Sequence, residues 1–150
     1  MTEIERKFLV DFDSWKNIEK PVPELIVQGY IFNSLEKTLR IRIKNGKGYL
    51  TLKGKTKGIS RSEFEFEIPL KEAESILEIF TEKAIVKDRY TIIYEGHTWE
   101  VDVFHGKLDG LILAEIELKA EDEKFTKPRW VTTEVSENPN YFNAKLIDRC

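Results

Sequence analysis

Apolar and ionic residues alternate with period two in segment after segment of this chain, and no other feature restricts its fold so strongly. The pattern runs through 2–10, 25–32, 37–45, 48–54, 62–68, 84–95, 97–104 and 111–119. Segments of this kind, separated by turn signals, predict a mainly β (α+β) chain built on antiparallel strands. Gly46-Lys47-Gly48, Glu95-Gly96 and the stretch from Gly106 to Gly110 read as hairpin turns. Helical spacing appears at 70–81, where Ala73, Ile76, Leu77 and Phe80 share a face and acidic residues occupy the first turns. A short helix is predicted at 12–19, capped by Asp13 or Ser14 and stopped by Pro21 and Pro23, and another at 140–148. The charged, Pro-interrupted stretch 120–130 is assigned no element. With no repeat and no linker, residues 1–150 read as a single domain.

Because successive strand residues point to opposite faces, each strand divides into two sets. One set is ionic: Glu3, Glu5 and Lys7; Arg40, Arg42 and Lys44; Thr51 and Lys53; Glu63, Glu65 and Glu67; Lys87 and Arg89; Glu100 and Asp102; Glu115, Glu117 and Lys119. The other is oily: Ile4 and Phe8, Leu39, Ile41 and Ile43, Leu50 and Leu52, Phe64 and Phe66, Val101 and Val103, Ile116 and Leu118. An ionic face is ordinarily the solvated one. Here, however, like signs cluster: cations dominate 37–54, while Asp102, Glu115 and Glu117 are purely acidic. Like charges on neighbouring strands repel, so such clusters point to ligands that neutralise them. Glu3, Glu5, Asp102, Glu115 and Glu117 form an oxygen-only donor set suited to magnesium or manganese rather than zinc. Arg40, Arg42, Lys53, Lys87 and Arg89 offer donors matched to phosphate oxygens. Together the two groups point to a metal-bound polyphosphate.

The overall balance of 24 Lys and Arg against 27 Asp and Glu, net −3, argues against a generic nucleic-acid or anionic-membrane binder. The single cysteine, Cys150, excludes an intrachain disulfide framework. The charged N-terminus lacks the apolar core of a signal peptide, and no apolar run approaches the ~18 residues of a membrane span. The expected setting is cytoplasmic.

Glu3-Ile4-Glu5-Arg6-Lys7 resembles the E-x-E-x-K signature of the CYTH superfamily, the triphosphate tunnel metalloenzymes. The resemblance continues in order through Arg40-Ile41-Arg42, Thr51-Leu52-Lys53, Ser60 to Glu65, Lys87-Asp88-Arg89-Tyr90, Glu100 to Phe104, Ala114 to Glu117, Glu134-Val135 and Tyr141-Phe142-Asn143. It implies an eight-stranded antiparallel β-barrel with ionic faces turned inward and a few helices outside. It also implies a metal-dependent hydrolase acting on inorganic triphosphate or nucleoside triphosphates, with a class IV type adenylate cyclase or thiamine triphosphatase as alternatives. A non-catalytic polyphosphate- or nucleotide-binding module is a further alternative. By resemblance, Glu3, Glu5, Asp102, Glu115 and Glu117 hold Mg2+ or Mn2+, and Lys7, Arg40, Arg42, Lys53, Lys87 and Arg89 hold the triphosphate. Catalytic roles fall to Lys87, Glu63 and Glu65, the last two completing a second metal site or orienting the cations.

Without an aromatic pair placed to stack a base, inorganic triphosphate is favoured over ATP. Arg61 lies beside a turn, Lys44, Glu67 and Lys119 lie at strand ends, and none is assigned to the core site. His97 and His105 read as turn or strand-end residues, and Trp15, Trp99, Trp130 and Tyr90 as packing residues. The expected partner is a small-molecule triphosphate, with no nucleic acid and no membrane, and a homodimer is compatible with a small barrel.

Overall fold

Two tight turns set the register of the sheet. In the computed structural model, which describes residues 1–150, Asn45 and Gly46 have φ of 51° and 72° and join β3 (Thr38–Lys44) to β4 (Lys47–Lys53). Glu95 and Gly96, at 48° and 79°, likewise join β6 (Ile85–Tyr94) to β7 (His97–Phe104). Positive φ at both central residues matches the twist of the flanking strands. The first turn is therefore Asn45-Gly46 and not Gly46-Lys47-Gly48. Gly48 lies inside β4, where a Cβ would collide with Ala73 of the helix Leu70–Phe80.

The remaining strands are β1 (Thr2–Val10), β2 (Glu24–Asn33), β5 (Ser60–Ile68), β8 (Ile112–Glu117) and β9 (Val131–Glu134). The helices are α1 (Phe12–Lys16), α2 (Leu70–Phe80) and α3 (Asn143–Leu146). Every strand pair is antiparallel in the order β5-β4-β3-β2-β6-β7-β8-β1, and β1 pairs back onto β5 to close eight strands into a barrel. The second edge of β1 is divided. Residues 2–4 pair with 62–60 of β5, and residues 8–10 with β9, a strand absent from the sequence prediction. Between them the Lys7 N–H donates to Ser136 Oγ at 2.9 Å, and the Val135 N–H donates to Lys7 O at 2.8 Å.

The oily faces point outward, and each is covered differently. Over β1, β7 and β8, Phe8, Trp99 and Ile116 pack beneath Trp15 and Trp130. The unassigned stretch 120–130 joins this layer through Phe125, whose ring meets Phe8 and Trp99 at centroid distances of 6.0 and 5.8 Å. Helix α2 covers β3 and β4 through its buried Ala73. On the outer face of β4 and β5, Leu52, Phe64 and Phe66 remain exposed.

A second apolar cluster unites Ile85, Phe104 and Leu113 with Leu146 and Ile147 of the C-terminal segment. The predicted helix at 140–148 is broken into α3 flanked by 3-10 turns at Pro139–Tyr141 and Ile147–Arg149. No helix of the chain is long and apolar enough to cross a membrane.

Candidate active site

Period-two alternation combined with closure sends the ionic set inward, where Lys7, Arg40, Arg42, Lys87, Arg89, Asp102 and Glu115 are all buried. They surround a cavity of about 220 Å³ lined by 22 residues, only four of them hydrophobic. Small-molecule sites are ordinarily mostly apolar, so this lining selects a small, highly charged ligand. Eleven charged residues assigned from sequence are accounted for as follows: Glu3, Glu5, Lys7, Arg40, Arg42, Lys53, Glu63, Glu65, Arg89, Glu115 and Glu117 line the cavity. Lys87 and Asp102 lie behind this lining, fully buried.

The signs segregated along the sequence interleave in space. Lys7 Nζ lies 3.2 Å from Glu115, Lys53 Nζ 2.9 Å from Glu3 and 3.0 Å from Glu63, and Lys87 Nζ 2.7 Å from Asp102. Arg89 forks onto Asp102 through Nε and Nη2, both at 2.8 Å, and reaches Glu100 at 3.1 Å. Although burial alone would raise it, the Asp102 carboxyl is held down to about 2 by Arg89 and Lys87. Both Asp102 oxygens are thus occupied by cations, which places this residue in the cation cluster rather than with the free carboxylates. Burial, followed in effect by Asp102 acting the other way and then by Arg89 and Arg42, leaves the Lys87 ammonium at about 7.

Glu63 and Glu65 sit against cations: Glu63 against Lys53, and Glu65 against Arg40 at 3.6 Å while accepting from Thr51 Oγ1 at 2.9 Å. Arg40 Nη2 donates to the same Thr51 oxygen at 3.2 Å, and Arg40 Nε is buried without a partner. Glu5 and Glu117 stand apart, forming no ion pair. Burial and then Glu115 and Glu3 push the Glu5 carboxyl well above the usual range. Burial and then Glu3, Glu63 and Glu100 raise Glu117.

No three carboxylates converge into a ready-made cage. Magnesium does not need one, because it is commonly held by one or two carboxylates together with waters and substrate phosphates. Two unpaired carboxylates beside Glu3 and Glu115 fit such an ion, since a cation there relieves the repulsion that now favours protonation.

Several residues of the site and its support escaped the sequence reading. Gln28, buried behind the lining, and Tyr30, which lines the cavity, sit at i and i+2 in the middle of β2, a signal of the same kind as Arg40 and Arg42. Asn143 accepts from Lys87 Nζ at 3.0 Å, and the Tyr141 carbonyl accepts from Lys7 Nζ at 3.0 Å, so the C-terminal segment anchors two of the site's lysines. Arg61, 3.5 Å from Glu3, and Lys44 also line the cavity, although neither was assigned to it. His97 and His105 lie elsewhere, against Glu123 and Asp88 at 2.7 and 2.8 Å.

A family model described as the CYTH domain matches residues 1–150. The chain belongs to the CYTH family. Among CYTH relatives, an inorganic triphosphatase of Acetivibrio thermocellus is 50% identical over 146 residues, covering 97% of this chain and 92% of the relative. An inorganic triphosphatase of Nitrosomonas europaea is 35% identical over 151 residues, covering 97% of each. A crystal structure of an inorganic triphosphatase superposes with a TM-score of 0.67 at 33% identity, covering 98% of this chain and 95% of the other. Closure of eight strands around inward ionic faces is thus the CYTH architecture, and the family match extends through β9 and the C-terminal segment.

Proposed function

We propose that this chain is a divalent-metal-dependent hydrolase of inorganic triphosphate. The observation that carries this reading is one small cavity holding unpaired carboxylates, Glu5 and Glu117, together with convergent phosphate-binding cations. The similarity to inorganic triphosphatases supports the same substrate.

In this reading Glu5 and Glu117, with Glu3 and Glu115, hold Mg2+ or Mn2+. A divalent ion bound there supplies charge neutralisation at phosphate oxygens and lowers the pKa of a coordinated water. Arg40, Arg42, Lys53, Lys7 and Arg89 hold the triphosphate chain, and their fixed positions stabilise charge as it moves onto the departing diphosphate. Lys87, fixed by Asp102 and Asn143, adds charge behind this row. Glu63 and Glu65 orient Lys53 and Arg40. Asp102 holds Lys87 and Arg89 in place and is not counted among the metal ligands. The lone thiol of Cys150 is compatible with a cytoplasmic enzyme.

The test is phosphate release from inorganic triphosphate and from ATP in parallel, with magnesium, with manganese and with chelator. Metal-dependent release from inorganic triphosphate that exceeds release from ATP is expected. Equal or greater release from ATP overturns the choice of substrate, and metal-independent release overturns the ligand assignment.

A further inference from the structure

Two arginines of the tunnel are gripped in the same way by chemically different partners. Arg89 presents Nε and Nη2 to the carboxylate of Asp102, both at 2.8 Å. Arg42 presents the same two nitrogens to the side-chain oxygen of Gln28, at 3.0 and 2.8 Å. Gln28 is completely buried on β2, directly opposite Arg42 in the β2–β3 ladder.

The orientation of the Gln28 amide follows from its neighbours. A guanidinium has only donors, so the atom facing Arg42 is the oxygen. Its Nε2 then faces Tyr30 Oη, which accepts at 3.4 Å.

The difference between the partners is charge. Asp102 fixes Arg89 and neutralises it. Gln28 fixes Arg42 and leaves its charge uncompensated. Burial, Arg40 and Arg89 all bear against that charge and bring the Arg42 guanidinium down to about 9. Holding a buried cation on a neutral acceptor is costly until an anion arrives. Arg42 lines the cavity, and its Nη1 forms no hydrogen bond within the protein.

We propose that Gln28 is a positioning residue of the triphosphate site, holding Arg42 by one edge while keeping its full charge and its Nη1 group for a phosphate oxygen. This rests on the triphosphate reading above. It explains why a neutral amide stands where a carboxylate would pair more strongly with arginine: a carboxylate at 28 would occupy Arg42 with an internal anion and compete with the substrate.

Three variants separate this role from a merely structural one. Gln28→Glu keeps the shape and the fork, so the ligand-free protein is expected to melt no lower than wild type, while KM for inorganic triphosphate rises by about 10- to 100-fold, the worth of a hydrogen bond to a charged group. The change in KM is expected to exceed the change in kcat. Gln28→Met removes the acceptor at similar volume and is expected to raise KM as well. In an Arg42→Ala background, Gln28→Glu is expected to change KM less than twofold, because the group it acts through is gone. A KM within twofold of wild type for Gln28→Glu overturns the proposal. So does an undiminished penalty in the Arg42→Ala background, which would mean that the added charge acts on the tunnel as a whole. Should Gln28→Glu fail to fold, Gln28→Met decides alone, and a lowered melting temperature with unchanged KM counts against the proposal. A wild-type protein that neither hydrolyses triphosphate nor is stabilised by it would instead remove the functional reading itself.

Discussion

Glu5 and Glu117 face one another as direct partners across the β1–β8 ladder, and neither carboxylate is paired with a cation. Burial and other carboxylates (Glu115 and Glu3 around Glu5; Glu3, Glu63 and Glu100 around Glu117) disfavour the charge on each and destabilise the empty protein. Glu5→Gln and Glu117→Gln are therefore expected to abolish metal-dependent turnover, by 100-fold or more, while the metal-free variants melt higher than wild type. The rise should be about 2–4 °C for each kcal/mol of repulsion relieved. Turnover across a magnesium titration and melting in chelator check both halves. Full turnover at saturating metal would remove these residues from the ligand set.

Arg40 contributes charge with an unsatisfied Nε, and its ties to Thr51 and Glu65 hold it toward the cavity. Arg40→Ala should weaken triphosphate binding about tenfold or more, read as KM or as calorimetric affinity in chelator. Affinity equal to wild type would count against its role.

Asp102 governs acid behaviour. Its native value near 2 lies below the 3.8 of an unconstrained aspartate, so it stabilises the fold above the ordinary value. That stability is lost as pH falls from about 4 toward about 2. Asp102→Asn leaves Lys87 and Arg89 buried without their counter-charge and should cost about 3–5 kcal/mol near neutrality. Urea unfolding of both proteins from pH 7 down to pH 2 checks this, and the gap between them should narrow toward the acid end.

Inorganic triphosphate should stabilise the protein even in chelator, because it neutralises cations that the fold leaves underpaired. At one hundred times its dissociation constant the gain is about 2.7 kcal/mol. An unchanged melting temperature at millimolar triphosphate would contradict the tunnel reading.

The strands were legible because the tunnel requires ionic side chains at every second position, and that requirement is written directly into the alternation. The two-residue turn Glu95-Gly96 sets Arg89 opposite Asp102, and Asn45-Gly46, one residue earlier than the turn read from the sequence, sets Arg40 opposite Thr51. The fork of Arg89 onto Asp102 was not legible, since a list of residues sharing a face does not say which side-chain contacts each one makes. Strand β9 has only four residues and exists because half of one edge of β1 is left open by β5, which no local pattern records. Asn143 reaches Lys87 from 56 residues away, through a segment whose own periodicity suggested only a helix.

The divided edge of β1 bears on how the molecule is made. Apart from β5, the partners of this strand are β8 and β9, both near the far end of the chain. During synthesis the first strand therefore emerges long before its main neighbours, with both hydrogen-bonding edges bare. A bare apolar strand would invite other chains to pair with it, whereas charged residues discourage such pairing. Glu3, Glu5 and Lys7 thus act twice: as guards on a nascent strand, and later as furniture of the finished tunnel.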